Sequence, residues 1–249
     1  MKHDLLGMVP VLMATTGGRR GFPEDAFPPD PLELRITFIS HATLMMRYGD
    51  SKGAAQPIVI HVDPVGEYAN YSRMEKADLI LVTHEHGDHL DPVAIQAVRK
   101  ESTIVVASEK CLPKIPGAVA LRNGQSTDAH GIRVTAIPAY NIQHMRSPGL
   151  PFHPRGDGNG YLVKVGSRQV YVAGDTENTG EMKALKGVDI AFLPMNLPYT
   201  MTPEMVADAA RALRPKVLYP YHFGDTDTSR LVSLLESSTD IEVRIRPMK

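Results

Sequence analysis

The chain has 249 residues, 43% of them hydrophobic and 22% charged, enough to bury the core of one large domain or two small ones. Its formal net charge is −1, which offers no basic track for nucleic acid and no attraction to an anionic membrane surface. No apolar run is long enough to span a bilayer, and the single cysteine, Cys111, excludes an internal disulfide and a Cys-based zinc ribbon.

Residues 1–33 read as an arm outside the main domain, which takes in residues 34–249. Leu5–Ala14 is a short apolar run, and Gly17–Pro31 is rich in glycine and proline. A degenerate signal peptide followed by a linker has this form and would make the protein periplasmic or secreted. Against it, Asp4 cancels Lys2, Pro10 interrupts the run, and no small-x-small cleavage site follows. An ordered arm and a cytoplasmic location are therefore the preferred expectation.

From Leu34 the chain alternates strands and helices. Leu34, Ile36 and Phe38 alternate with Arg35 and Thr37, the period of a half-buried strand. Thr43–Tyr48 and Ile58–Val62 follow as strands, separated by the turn-forming Gly49-Asp-Ser-Lys-Gly53. Asp78–Thr83 is apolar and β-branched, a buried strand. Asp91 then caps a helix with Pro92 at its first position, running to about Lys100. Further strands are expected at Thr103–Ala107, Ile132–Ile137, Tyr161–Val165, Gln169–Ala173, Asp189–Leu193, Val217–Tyr219 and Ile241–Ile245. Thr202-Pro-Glu204 opens a second helix whose Met205, Val206, Ala209 and Leu213 share one face, and Ser229–Glu236 reads as a third. This order predicts an α/β fold of two mixed sheets packed face to face with helices outside. No repeat is visible in the letters, although each half runs from strands into a helix. The one long irregular stretch, residues 141–159, holds His144 and His153, and loops of that length in a compact domain are usually functional or disordered.

Residues 84–89 read His84-Glu85-His86-Gly87-Asp88-His89, directly after a predicted buried strand. The side chains leave a rigid strand end and enter a glycine-containing loop, where they can converge on a point. Neutral imidazoles with a carboxylate suit Zn²⁺ best, with Mn²⁺ and Fe as competitors. Three further strand ends carry donors: Asp63 after Ile60-His-Val, Asp175 after Tyr171-Val-Ala-Gly, and His222 after Tyr219-Pro-Tyr. Singly, each Asp reads as a turn former. Together they gather His and Asp at one end of several strands, where ligands bind in layered α/β folds.

His84-x-His86-x-Asp88-His89, followed by His153, Asp175 and His222, resembles the metal-binding series of the metallo-β-lactamase superfamily. Val62-Asp-Pro64, His153-Pro-Arg-Gly156, Gly160-Tyr161 and Ala173-Gly-Asp-Thr176 look closest to its Zn-dependent hydrolase-like branch, which includes the L-ascorbate-6-phosphate lactonases. The resemblance implies an αββα sandwich, the metallo-β-lactamase fold, with the metals at one edge between the sheets. It implies two Zn²⁺ ions, one held by His84, His86 and His153 and one by Asp88, His89 and His222, with Asp175 bridging them. Two such cations roughly 3.5–4 Å apart make a hydroxide available near neutral pH and polarise a scissile oxygen. Asp88 would also position that hydroxide, as the catalytic carboxylate. Asp63 would accept an N–H from a ligand histidine and fix its tautomer. His41, in Ser40-His-Ala-Thr43, resembles a near-site histidine of this branch, with a buried structural role the alternative. For the third ligand of the first metal His144 competes with His153. The predicted hairpin over residues 161–173 returns the chain to the end it left, which brings Asp175 beside His153 and favours it.

Asn159, Asn196 and Tyr199 lie in loops near the proposed site and are candidates for hydrogen bonds to substrate, although loop packing would explain them too. His3, His61 and His130 have no partner pattern. Met45, Met46, Met195 and Met205 read as core or gap-filling residues, Cys111 as an inert small residue, and Glu85 should point away from the metals. The expected activity is metal-dependent hydrolysis of an ester, lactone, amide or phosphodiester of a small molecule. The alternatives are an iron-dependent redox enzyme on the same fold, like a persulfide dioxygenase, and a non-catalytic metal-binding protein. No nucleic-acid or membrane partner is expected, and the sequence leaves the oligomeric state open.

Overall fold

The computed structural model describes residues 21–50 and 56–249 and stacks two seven-stranded sheets. In the first, spatial order follows the chain: β1 (Glu24–Phe27), β2 (Glu33–Ser40), β3 (Thr43–Gly49), β4 (Ile58–Val62), β5 (Leu79–Val82), β6 (Ile104–Ala107) and β7 (Val119–Ala120). Helix α1 (Pro92–Val98) links β5 to β6. The second half supplies β8 (Ser126–Ala129), β9 (Ile132–Ala139), the small hairpin β10 (Met145–Ser147) and β11 (Leu150–Pro151), then β12 (Gly158–Val165) and β13 (Arg168–Val172). Helix α2 (Gly180–Ala184), β14 (Ile190–Pro194), α3 (Pro203–Leu213), β15 (Val217–Tyr221), α4 (Thr228–Leu235) and β16 (Glu242–Val243) complete it. The second sheet is ordered β16-β15-β14-β13-β12-β9-β8.

The two sheets are built alike. Strands β1 to β4 pair antiparallel, and β4 to β7 pair parallel. Strands β8, β9, β12 and β13 pair antiparallel, and β13 to β16 pair parallel. Parallel neighbours need a crossover, which the helices provide. Period-two alternation decides what each strand faces. Leu79 and Leu81 of β5 join the main core between the sheets, whereas Ile80 and Val82 join a second cluster with Ala94, Ile95 and Val98 of α1. The first sheet is thus apolar on both faces, which is why β5 reads as a continuous hydrophobic run. The result is an αββα sandwich of two mixed sheets with helices outside.

The expected helix starts hold. Asp91 accepts from the Val93 N–H ahead of Pro92, and Thr202 accepts from Met205 N–H ahead of Pro203. The third helix begins one residue early, capped by Asp227. Met46 and Met195 are fully buried, Met45 nearly so, and Met205 packs against the core. Other elements differ from the sequence expectation. The sheet begins before Leu34, because β1 pairs with β2 and Asp25 on it binds Arg244 and Arg246. Those arginines also explain why the closing strand is shorter than Ile241–Ile245: β16 stops at Val243 and the chain turns toward Asp25. Strands β7, β8, β10 and β11 are too short or too exposed to carry an alternation, and α2 spans only five residues. The apolar run Leu5–Ala14 lies outside the described residues. Among the described residues no helix is long and apolar enough to cross a membrane.

Candidate metal centre

One edge of the sandwich collects the C-terminal ends of the central strands. Asp63 follows β4, the run His84–His89 follows β5, Asp175 follows β13, Asn196 follows β14 and His222 follows β15. Three of the residues at this edge pay in backbone strain: His41, Asp63 and His222 hold φ of 53°, 44° and 46°. Left-handed backbone disfavours L side chains with a Cβ by about 1–2 kcal/mol, and such outliers cluster at functional sites. A backbone bond from His222 N–H to the His41 carbonyl, 2.9 Å, ties two of them together. Gly174, just before Asp175, has φ +66° and lies so close to the Asn159 carbonyl that a Cβ would come within 2.8 Å of it. The glycine is what lets the Asp175 loop pack against its neighbour.

Each imidazole has a partner for the nitrogen that faces away from the centre, or shares the one that faces in. Asp63 is fully buried and organises two of them. Its Oδ1 accepts from Thr83 N–H at 2.8 Å. Its Oδ2 lies 2.7 Å from the Thr83 hydroxyl, which donates, and 2.8 Å from His89 Nδ1. The Thr83 oxygen in turn faces His84 Nδ1 at 3.0 Å. One carboxylate thereby sets the orientation of His89 directly and of His84 through a hydroxyl, leaving both Nε2 atoms aimed inward. His153 Nδ1 donates to Asn141 Oδ1 at 2.8 Å, and the same oxygen accepts the His153 backbone N–H. His222 Nδ1 sits 3.4 Å from the Asn196 amide.

Inside this ring, Asp175 occupies the middle. Its carboxylate lies 3.3 Å from His89 Nε2, 3.3 Å from His153 Nε2, 3.4 Å from His222 Nε2 and 4.0 Å from His84 Nε2. His84 Nε2 and His86 Nδ1 approach to 3.1 Å. Asp88 Oδ2 is 3.2 Å from His41 Nε2 and 3.8 Å from both His89 Nε2 and His222 Nε2. Donor atoms of His84, His86 and His153 fall within 4.8 Å of one another, as do those of His41, Asp88, His89 and His222. Asp175 is 3% exposed and Asp88 44%, so Asp88 is the carboxylate that faces the open cavity.

The electrostatics follow from this crowding. Burial acts to raise the Asp175 carboxyl, but His222, His89 and His84 outweigh it and hold it well below the usual carboxylate range. Asp88 behaves alike: burial opposes ionisation, and His222 and His41 overcome it. Burial would lower His222, yet Asp175 and Asp88 push it up to about 10. His84 is driven well below its ordinary value by burial and by the neighbouring His89, and burial also lowers His153 against the pull of Asp175. Ionised carboxylates and the neutral imidazoles of His84 and His153 are the protonation states that ligate metals, whereas burial is outweighed at His89, which Asp175 and Asp63 push up. The charges that retain a proton on His222 would retain a cation in its place.

The residues fit such a cation on independent grounds. His89 Nε2, His222 Nε2 and Asp175 Oδ1 are buried and make no hydrogen bond among the described residues, although His89 Nε2 and Asp175 Oδ1 stand 3.3 Å apart. Orphaned buried polar atoms are rare and cost about 1–3 kcal/mol each. Here three of them converge on one volume, and lone pairs on imidazole and carboxylate have a metal ion as their common partner.

Comparison with known proteins agrees. A model described as a beta-lactamase superfamily domain matches residues 35–222. A UPF0173 metal-dependent hydrolase of Thermococcus kodakarensis is 31% identical over 200 residues, 76% of this chain and 84% of the relative. The chain belongs to the beta-lactamase superfamily, among its UPF0173 metal-dependent hydrolases. A second such relative, from Pelotomaculum thermopropionicum, is 28% identical over 227 residues, 85% of this chain and 96% of its own. A crystal structure from Parabacteroides distasonis, described as a metal-dependent hydrolase, is 47% identical with a TM-score of 0.84, covering 92% of this chain and 100% of that one.

In this beta-lactamase superfamily chain, the structure brings His84, His86, Asp88, His89, His153, Asp175 and His222 into one cluster, with Asp63 behind it and His41 against it. The His41 ring lies 3.7 Å from that of His222 and stacks on Tyr68. His144 is turned away: its Nδ1 faces the Thr200 carbonyl at 2.8 Å and Glu177 at 3.0 Å. Tyr199 and Asn196 line the cavity. Asn159 follows the packing alternative, because its amide is bonded within the fold. Its Nδ2 donates to the Leu121 carbonyl at 2.8 Å and its Oδ1 accepts from Asn123 at 2.7 Å. His61 is buried and bonded to the Glu75 carbonyl, His130 is exposed beside the Ser102 carbonyl, and His3 lies outside the described residues. Glu85 offers its own carbonyl to Lys114, and burial pushes the Cys111 thiol up to about 12, far from nucleophilic.

Two residues escaped sequence reasoning. Asn141 opens the long loop, and Glu177 follows Asp175 by two positions. Glu177 is fully buried and accepts the consecutive backbone N–H groups of Ile142, Gln143 and His144, together with the Asn141 amide at 3.1 Å. It fixes Asn141, which fixes His153. The run Gly174-Asp-Thr-Glu177 was the available signal, an acidic pair at a strand end of which only Asp175 faces the histidine cluster.

Proposed function

We propose that the chain is a dinuclear metallohydrolase that cleaves an ester, lactone, amide or phosphodiester bond of a small molecule. The observation that carries this reading is the convergence of three partnerless buried atoms, on His89, His222 and Asp175, between two groups of further donors. His84, His86 and His153 would hold one ion, Asp88, His89 and His222 the other, with Asp175 between them. When bound, two divalent cations lower the pKa of a shared water and polarise the scissile oxygen. Zn²⁺ suits the donor set best, and Mn²⁺ or Fe would also be accepted.

The chain's own groups then have distinct tasks. Asp63 and Asn141 keep His89, His84 and His153 in the tautomers that present Nε2. His41 donates from Nε2 to Asp88 Oδ2, which orients the one ligand carboxylate that faces substrate. The resemblance to lactonases places lactones among the bonds to test first.

Purified protein stripped by a chelator should lose turnover on a panel of lactones, aryl esters and phosphodiesters, and regain it with Zn²⁺ or Mn²⁺ at two ions per chain by elemental analysis. Hydrolysis that persists in metal-free protein would refute the proposal. Iron content with oxygen consumption and no hydrolysis would replace it with the redox reading.

A further inference from the structure

A cavity of about 630 Å³ opens in front of the cluster. Its floor is formed by the ligand side chains, and its rim includes Arg146, Phe152, Asn196 and Tyr199. The rim is chemically uneven. The Phe152 and Tyr199 rings meet edge to face at 5.1 Å, and the Arg146 guanidinium carbon sits 5.8 Å from the Phe152 ring centre. Tyr199 is exposed, as are Met145 and Leu150 on the same hairpin as Arg146. The mouth therefore offers an apolar, aromatic surface with one cation beside it.

Arg146 differs from the arginines around it. Arg155 is paired with Glu181, whereas no carboxylate or carbonyl partner meets the Arg146 guanidinium among the described residues. The acidic side chains lining the cavity are Asp88 and Asp175, and both belong to the metal cluster. Arg146 is nevertheless held in place. It lies on β10, two residues after the segment whose N–H groups are gripped by the buried Glu177 carboxylate, and its side chain rests on Phe152. A cation–π contact orients a guanidinium without consuming its N–H donors. What is left is a planar fork of donors at the mouth of the cavity, the geometry that accepts a carboxylate or phosphate in two parallel bonds.

We propose that Arg146 docks an anionic group of the substrate, a carboxylate or a phosphate remote from the scissile bond, and that Phe152 and Tyr199 grip an apolar or planar body lying between that group and the metals. This rests on the dinuclear reading, since two divalent cations outweigh the charge of Asp88 and Asp175 and leave the whole cavity attractive to anions. The substrate class is then a small anionic ester, lactone or phosphodiester with a hydrophobic body. Arg146 sets specificity and takes no part in bond cleavage.

The test uses metal-loaded full-length protein and ligands that need no turnover. Calorimetry compares benzoate with terephthalate and with 4-phosphonobenzoate, which add a second anionic group as carboxylate or as phosphonate. Wild type should bind the doubly anionic ligands more tightly than benzoate, and the larger gain identifies which anion the site prefers. Arg146→Ala should reduce that preference by about tenfold or more, and Arg146→Lys should restore only part of it because an ammonium lacks the fork. In parallel, the ratio of kcat/KM for 4-carboxyphenyl acetate over phenyl acetate should fall in Arg146→Ala. Equal affinity for benzoate and the dianions in wild type, or an equal loss of all three in Arg146→Ala, overturns the proposal. Absence of ester turnover counts against the hydrolase reading instead, and leaves the calorimetric comparison to decide the role of Arg146.

Discussion

Two carboxylates join the halves of this molecule, and they are satisfied in opposite ways. Asp25, on the edge strand of the first sheet, reaches Tyr219 of the second sheet and the arginines Arg244 and Arg246 beyond its last strand. Both of its oxygens have permanent partners, with Arg246 at 2.7 Å from each. Asp175, at the other carboxylate junction, collects His84 and His89 from the first half and His153 and His222 from the second. One of its oxygens is buried and makes no hydrogen bond among the described residues. A junction built for stability closes its hydrogen bonds. A junction built to bind leaves buried atoms open, and the strained backbone of His41, Asp63 and His222 shows that the fold tolerates a cost at that edge.

The comparison breaks most visibly at Asp175. Asp175→Asn keeps the shape but removes the charge between the two proposed ions. Metal content should fall, particularly at the Asp88, His89 and His222 group, with a loss of turnover beyond the ~10–100-fold typical when a partner outside the ligand set is removed. Elemental analysis and activity check this together. Two ions per chain with undiminished turnover in the variant would remove Asp175 from the ligand set.

A smaller effect separates the braces behind the ligands. Glu177→Gln disturbs a fully buried acceptor of three backbone N–H groups, and through Asn141 it loosens His153. Metal affinity of the His84, His86 and His153 group should drop by ~10–100-fold, while the other group keeps its ion. His144→Ala, whose ring faces Thr200 and Glu177, should retain both ions. Metal titration of the two variants decides it, and loss of an ion in His144→Ala alone would reverse the roles of the two histidines in the loop.

The contrast between the junctions also explains what could be read from letters. His84, His86, Asp88 and His89 share one loop, so their convergence is a local property that needs no knowledge of the fold. Asp63, Asp175 and His222 were legible one step less directly, because period-two apolar runs mark the strands whose ends they occupy. Asn141 and Arg146 were not legible, and Glu177 showed only as the second acid of a pair at a strand end. Asn141 and Glu177 meet only once the long loop has folded against the β13–α2 connection, Arg146 meets Phe152 only once that loop has turned back on itself, and none sits in a pattern with a period. Asp25 was hidden for the same reason: it lies in a Pro/Gly-rich stretch, and its partners are some two hundred positions away. Asn159 stayed open between substrate contact and packing, since proximity to the site in sequence says nothing about which hydrogen bonds its amide makes.

The smallest predicted effect isolates the structural junction. Arg246, Arg244 and Tyr219 overcome the opposing effect of burial and hold the Asp25 carboxyl below its ordinary value. A group whose folded pKa is depressed adds stability above its unfolded pKa, near 3.9, and loses it as pH falls through the folded value. Asp25→Asn removes this contribution and leaves two guanidinium groups without their carboxylate. The variant should be about 1–3 kcal/mol less stable near neutral pH, with metal content and turnover retained. Below about pH 4 the gap between wild type and variant should narrow, because unfolded wild type then takes up a proton at Asp25 that the folded carboxyl does not yet bind. Denaturant melts of chelated protein from pH 7 to pH 3 measure the gap without interference from metal release. A gap that stays constant to pH 3 would mean that Asp25 joins the sheets by shape and hydrogen bonding alone. Loss of metal in Asp25→Asn would mean that the two junctions are coupled, and that the edge carrying the histidine cluster depends on how firmly the far strand is tied.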